Sequence, residues 1–243
     1  MLRPDRVLDG FAGQVALITG TSRGLGQAFA ARFLAQGATV VGLSRGEAVI
    51  HHERYTHLEA DVTDEQASTK AVRAAFDVAK RLDVVINSAG AARMNPVLLT
   101  PGSLVESLIR VNYEATFWIS REAARLMRRR SYGRIINISS VAVPMALEGE
   151  AAYAAAKSAI ETFSRIFARE VAAYGITCNV VAPAPVPTDL IRGVPPAAID
   201  ALTRRLALGR TCTPDEVAYT VEMLARPEAS GITGQVIYLG GPA

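Results

Sequence analysis

The chain has 243 residues, half of them apolar and one-fifth charged, and its net charge of +3 is too small to imply a nucleic-acid partner. Its two cysteines, Cys178 and Cys212, stand in unrelated contexts without ligand-like spacing, which argues for a reducing compartment and against bound metal or a disulfide scaffold. No run approaches the roughly 18 to 20 apolar residues of a membrane span, and the opening "MLRPDRVLDGFAG" mixes both charges where a signal peptide needs an apolar stretch, so a cytoplasmic protein is expected.

In chain order, the first apolar run is "QVALIT" (14–19), followed by "TGTSRGLGQAFAARFLAQG". Gly20, Gly24 and Gly26 thus fall between a strand and an amphipathic helix, with Ser22, Arg23 and Leu25 interleaved. Glycines there let the backbone turn sharply and let a pyrophosphate approach the free N–H groups of the helix start, so this turn is predicted to bind a dinucleotide. The second run, "TVVGL" (39–43), ends in Ser44 and Arg45 rather than in a carboxylate. An NAD site would place Asp or Glu there for the ribose 2′-hydroxyl. A guanidinium at Arg45, helped by Ser44 and Arg23, suits the 2′-phosphate of NADP(H) instead. Glu47, further into the loop, is the dissenting residue.

Five more runs follow: "THLEA" (56–60), "DVVIN" (83–87), "RIINIS" (134–139), "TCNVVA" (177–182) and "QVIYLG" (235–240). Helical patterns separate them. Such alternation predicts an α/β protein of Rossmann type, a doubly wound parallel seven-stranded sheet with helices on both faces. Several runs are apolar throughout, as burial on both faces requires. No repeat, charge block or linker divides residues 1–243, so one dinucleotide-binding and catalytic domain is expected. Five prolines within residues 183–196 disfavour helix over most of that stretch and make a substrate loop around 183–212.

Late in the chain, "YAAAK" puts Tyr153 and Lys157 four apart, on one face of a predicted helix. With "TGTSRGLG", "NSAG" (87–90), Asn112, "NISS" (137–140) and "YAAAK" in this order, the sequence resembles the short-chain dehydrogenase/reductase family, most nearly its 3-oxoacyl-[acyl-carrier-protein] reductase branch, from about residue 11 to Gly241. The resemblance implies that Tyr153 and Lys157 are the catalytic pair. Ser140 would bond the substrate carbonyl, with neighbouring Ser139 turned to the other side by strand alternation. Asn112 would hold a water in a proton relay, and Asp61 and Val62 would contact adenine. Asn87, Ala89, Gly90, Pro183 and Thr188 match further cofactor-site positions, while Lys157 would also bind the nicotinamide ribose. Three positions depart from the family pattern: Ser88 for Asn, Ala184 for Gly, and Leu239 for the Asp or Asn before the glycine pair. A methyl at 184 would shift the backbone or exclude positive φ.

Implied by the same resemblance is hydride transfer from NADPH to a ketone, with Tyr153 as proton donor. Its phenol, ordinarily near a pKa of about 10, would be lowered by the Lys157 ammonium. Met94, Val97, Val143, Met145, Leu190 and Ile191 would make an apolar border suited to a 3-oxoacyl thioester. Arg125, Arg128, Arg129, Arg130 and Arg134 would dock an acidic acyl carrier protein beside the site, although Tyr174 stands where that branch often has a basic residue. Coenzyme A thioesters remain open. Alanine-rich helices around 113–127 and 153–173 fit the family's homotetramer. Two alternatives stand: a reductase of a polyketide, quinone or alicyclic ketone, and a non-catalytic dinucleotide sensor, which would be expected to lack part of the Ser140, Tyr153 and Lys157 set.

Overall fold

The computed structural model describes residues 10–242. Residues 1–9, most of the stretch read against a signal peptide, and residue 243 lie outside the described residues. The strands are β1 (Val15–Thr19), β2 (Thr39–Ser44), β3 (Tyr55–Glu59), β4 (Val84–Asn87), β5 (Gly133–Ile138), β6 (Ile176–Ala182) and β7 (Val236–Tyr238). All pair in parallel, in the order β3-β2-β1-β4-β5-β6-β7. The expected seven-stranded parallel sheet is therefore present, with strand ends moved by one or two residues. β1, β4, β5 and β6 are buried at every position, as their unbroken apolar runs require, whereas the edge strand β3 is half-exposed.

Eight α-helices connect the strands: α1 (Gly24–Ala35), α2 (Glu65–Asp77), α3 (Gly102–Ile109), α4 (Ala115–Met127), α5 (Ala142–Met145), α6 (Ala151–Val171), α7 (Pro196–Thr203) and α8 (Pro214–Ala225). On one face Phe29 and Phe33 of α1 pack with Val217, Val221 and Leu224 of α8; on the other, Val72, Ile119 and Phe167 carry α2, α4 and α6. The sheet is thus doubly wound. Chain order reverses between β1 and β4, which opens a crevice at the carboxyl ends of these central strands. No helix among the described residues is long and apolar enough to cross a membrane.

Two features were not foreseen. α3 and α4 are joined without a break by one π-helical turn, Arg110–Glu114. The proline-rich segment, irregular up to Pro195 apart from one 3-10 turn (Asp189–Ile191), becomes helical at Pro196, where proline stands inside the first turn of α7 and its missing N–H costs nothing. The segment ends at a capping box. Thr213 Oγ1 accepts from Glu216 N (3.2 Å), Glu216 Oε2 accepts from Thr213 N (2.8 Å), and Arg210 clamps the same carboxylate at 2.6 and 3.0 Å.

Thr213→Ala should lower the unfolding free energy by about 1 kcal/mol, read as a lower urea midpoint with an unchanged slope, and Thr213→Ser should restore most of it. An unchanged midpoint in the alanine variant would mean that the Arg210–Glu216 pair holds this helix start unaided.

Candidate active site

The crevice is a cleft of about 1600 Å³ running over the carboxyl ends of the strands. At one end lies the glycine turn. Gly20 and Gly24 take positive φ (+78° and +59°), and a Cβ on Gly26 would meet the Gly20 carbonyl oxygen at 2.3 Å, so only glycine lets α1 start this close to β1. No side chain caps α1 and no carboxylate occupies its first turn. Its leading N–H groups therefore face the cleft without a protein acceptor, the arrangement that a pyrophosphate satisfies. Thr19 Oγ1 braces the opposite wall by accepting from Ser88 N (3.0 Å) and Ala89 N (2.9 Å).

Ser22, Arg23, Leu25, Ser44, Arg45, Asp61, Val62, Ala89, Gly90, Pro183 and Thr188 all line this cleft with the three turn glycines. Asn87 does not. Its side chain is buried and donates to Ser120 Oγ (3.0 Å) and Asn137 Oδ1 (2.8 Å), tying β4 to α4 and β5, whereas Ser88 lines the wall. Ser44 is buried too, and its hydroxyl donates to Gly46 O (3.2 Å), so the exposed cations of this rim are Arg45, 3.8 Å from Asp61, and Arg23, 3.7 Å from Asp189. Behind the rim, His57 bonds Gly46 O (2.8 Å) and Tyr55 OH (3.0 Å), and Tyr55 bonds Thr21 Oγ1 (3.0 Å). This brace was missed from sequence; its only signal is that Tyr55 and His57 are two apart and share one face of β3.

At the other end, α6 lays Tyr153 and Lys157 against the end of β5. Lys157 Nζ donates to Ile138 O at 2.8 Å and lies 5.7 Å from the Tyr153 ring centre. Ser140 Oγ reaches the cleft and accepts from Ala142 N (3.1 Å), while the Ser139 hydroxyl points away and donates to Glu161 (2.7 Å), as strand alternation predicts. The π turn carries Asn112 inward, where Nδ2 donates to Ala91 O (2.9 Å) and Leu108 O (3.0 Å). A Cβ on Gly90 would come within 2.7 Å of Asn112 Oδ1, which explains a glycine there.

The expected lowering of the Tyr153 phenol is reversed. Burial pushes it up to about 12, the adjacent Ser140 hydroxyl works in the opposite sense, and Glu150 adds to the rise. Burial also pushes the Lys157 ammonium down, to about 8. The ammonium is turned toward the Ile138 carbonyl, so loss of water dominates over its pull on the phenol. The phenol therefore keeps its proton at neutral pH, and is a weaker acid than a free tyrosine before any ligand enters.

With this geometry in place, a family model described as Enoyl-(Acyl carrier protein) reductase matches residues 20–241. The chain belongs to the short-chain dehydrogenase/reductase family. It is similar to the 3-oxoacyl-[acyl-carrier-protein] reductase FabG of Escherichia coli K12, at 35% identity over 240 residues, covering 95% of this chain and 97% of that one. It is 36% identical to the short-chain reductase protein NovJ of Streptomyces niveus, over 93% of this chain and 92% of the relative. Among solved structures, a candidate gluconate dehydrogenase from Agrobacterium tumefaciens matches with a TM-score of 0.88 and 29% identity, covering 97% of this chain and 98% of that one.

In this short-chain dehydrogenase/reductase Met94, Leu190 and Ile191 line the cleft, whereas Val97 points to solvent, Val143 lies off the cleft and Met145 is core. Leu104, Leu147, Ile199 and Leu202, from α3, the α5–α6 turn and α7, take their place. Ala184 is outside positive φ, and its methyl fills the space beside Gly240, where a Cβ would meet it at 2.8 Å. The departure at 184 is thus absorbed by a neighbouring glycine.

The arginine patch does not sit beside this site. α4 joins two parallel strands and so runs against them, carrying Arg128, Arg129 and Arg130 to the amino ends of the strands, a full strand length from the cleft. Arg125 pairs with Glu122 (3.3 Å), and Arg134 is buried, bonding the carbonyls of Pro227 (3.2 Å) and Arg226 (3.3 Å). Among the described residues no cluster of three or more His, Cys, Asp or Glu could hold a metal ion.

Lys157 is protonated more readily in the unfolded chain than in the folded one, so raising the pH from 8 toward 10 should favour folding. Relative to Lys157→Met, the wild type should gain about 2 kcal/mol of unfolding free energy over that window, measured without cofactor by urea titration. A constant difference between the two proteins would mean that the ammonium is not desolvated.

Proposed function

We propose that this protein is an NADPH-dependent reductase of a ketone, foremost a 3-oxoacyl thioester giving the 3-hydroxyacyl product, working as one domain with residues 183–212 as its substrate loop. The observation that carries the reading is the meeting of Ser140, Tyr153 and Lys157 at one end of a cleft whose other end is an uncapped, glycine-rich helix start. The lining suits a nicotinamide dinucleotide: the first turn of α1 would hold its pyrophosphate, Asp61 and Val62 its adenine, and Arg45 and Arg23 its 2′-phosphate. When bound, the dinucleotide supplies the hydride.

The chain's own residues do the rest. Ser140 holds the substrate carbonyl oxygen, and Tyr153 gives that oxygen its proton as the carbon is reduced. Lys157 holds the ribose and steadies the phenolate that remains, since its charge is worth most where water is excluded. Asn112, fixed by two backbone carbonyls, serves the water through which the lysine is reprotonated.

The wall of Met94, Leu104, Leu147, Leu190, Ile191 and Leu202 favours an aliphatic acyl chain over a sugar, which would need many fixed polar partners. FabG relatives are named for carrier-linked 3-oxoacyl substrates. The thioester here is accordingly carried by an acyl carrier protein or by coenzyme A. The remote arginines do not support docking of a carrier beside the same chain's cleft. A quinone or alicyclic ketone suits the same apolar wall and is the second reading. The clustered rings of Tyr113, Phe117 and Phe163 and the exposed Ile166, on α4, α6 and the turn before α4, support a homotetramer paired through these helices. The two unbridged cysteines support a cytoplasmic location.

NADPH oxidation measured with 3-oxoacyl thioesters, cyclic ketones and quinones tests the substrate class: turnover on the thioesters is expected to lead, and turnover on the cyclic ketones or quinones alone would replace it with the second reading. Catalytic efficiency should be higher with NADPH than with NADH, and Arg45→Asp should reverse the order; equal efficiency in the wild type would refute the 2′-phosphate assignment. Tyr153→Phe should keep NADPH affinity by fluorescence titration and lose more than about nine-tenths of turnover, a barrier rise above about 1.4 kcal/mol.

A further inference from the structure

Behind the catalytic face of α6 lies an ionisable group that the reaction does not use. Glu161, one helical turn beyond Lys157, is 3% exposed. Its Oε1 accepts from Ser139 Oγ at 2.7 Å and its Oε2 from Tyr238 OH at 2.7 Å, with the half-exposed Arg165 guanidinium 3.8 Å away. A carboxylate is costly to bury unless its oxygens are satisfied, and here the satisfying donors come from two different strand ends. Tyr238 is correspondingly pushed up to about 12 by burial and by the carboxylate that accepts its proton.

Ser139 stands between the two groups that must be placed to a fraction of an ångström. Its predecessor, Ile138, offers the carbonyl that holds Lys157 Nζ at 2.8 Å, and its successor is Ser140. Tyr238 ends β7, directly before the segment whose Gly240 and Gly241 carbonyls accept from Leu208 N (3.2 Å) and Ala207 N (2.8 Å) at the base of the substrate loop. One side chain on the helix that carries Tyr153 and Lys157 therefore bonds the strand end that carries Ser140 and the strand end that anchors the loop.

We infer that Glu161 is a positioning residue: through Ser139 it sets the end of β5, and with it Ser140 and the Lys157 acceptor, relative to Tyr153. The inference rests on the proposed reduction at Ser140 and Tyr153 for its kinetic consequence and on the hydrogen bonds alone for its structural one. Glutamine at 161 can accept from Tyr238 and donate to Ser139, so it keeps both ties; leucine keeps neither, leaving the buried Ser139 hydroxyl only the longer 3.5 Å contact to Lys157 O and the half-buried Tyr238 hydroxyl without Glu161.

The test compares Glu161→Leu, Glu161→Gln and Ser139→Ala with the wild type. Glu161→Leu should lower kcat per folded molecule at least about tenfold while KM for NADPH stays within about threefold, and Glu161→Gln should recover kcat to within about threefold. Independently of activity, hydrogen exchange over residues 138–142 should speed up in Glu161→Leu and not in Glu161→Gln, while β1 stays protected in both. Where the leucine variant fails to fold, Ser139→Ala carries both measurements, because it removes the β5 tie and leaves Tyr238 on the carboxylate. Wild-type kcat and unchanged exchange in the folded leucine or alanine variant would overturn the positioning role. A wild type that reduces no ketone would overturn the proposed reaction, and the exchange experiment would still decide the role of Glu161.

Discussion

An ammonium taken out of water needs oxygen acceptors, and for Lys157 the acceptor is the Ile138 carbonyl at 2.8 Å. That bond fastens α6 to the end of β5 and fixes where Tyr153 stands relative to Ser140. It also explains the electrostatics of the site. The lysine is pushed down and the tyrosine up by the same loss of solvent, so both groups lean toward their uncharged forms before any ligand enters.

Around this contact the parallel sheet supplies position. Reversal of strand order between β1 and β4 leaves a crevice, and the glycine turn and the Ser140–Tyr153–Lys157 group border it because both stand at carboxyl ends of strands. Small residues admit the close approaches: Gly26 over the Gly20 carbonyl, Gly90 against Asn112, and Gly240 making room for the methyl of Ala184. Arg23 and Arg45 reach carboxylates across the cleft, Asp189 on the loop and Asp61 beside β3, at 3.7 and 3.8 Å. Both pairs are substantially exposed, so each contributes little to stability.

Much of this was legible from local pattern. The central apolar runs became β1, β4, β5 and β6 because a strand buried on both faces must be apolar at nearly every position, the edge strands β3 and β7 being only partly buried, and helices between parallel strands have no other place than the two faces. The expected site residues other than Asn87 line the cleft because they sit at strand ends, in turns or on the helices facing them, where spacing along the chain translates directly into spacing in space. Asn87 differs for the converse reason: its residue type suits a cofactor, but its side chain is turned away from the cleft, onto Ser120 of α4 and Asn137 of the neighbouring strand β5. The π turn at Asn112 left no mark, since one extra residue in a helix does not disturb an apolar period that short.

The sequence by itself determined the fold class, the glycine turn and the pairing of Tyr153 with Lys157, because each depends on neighbours within a few residues and on regular periodicity. Only the tertiary structure decided what each of these charges faces. The arginines after α4 read as a patch near the site, yet a helix joining parallel strands must run backward, and it delivers them to the far end of the sheet. Nothing near Glu161 in the chain marks it, yet folding closes α6 over β5 and β7 and buries it between Ser139 and Tyr238, partners 22 and 77 residues away along the chain. Solvation and distant partners set the state of an ionisable group, and both come into being only when the layers pack.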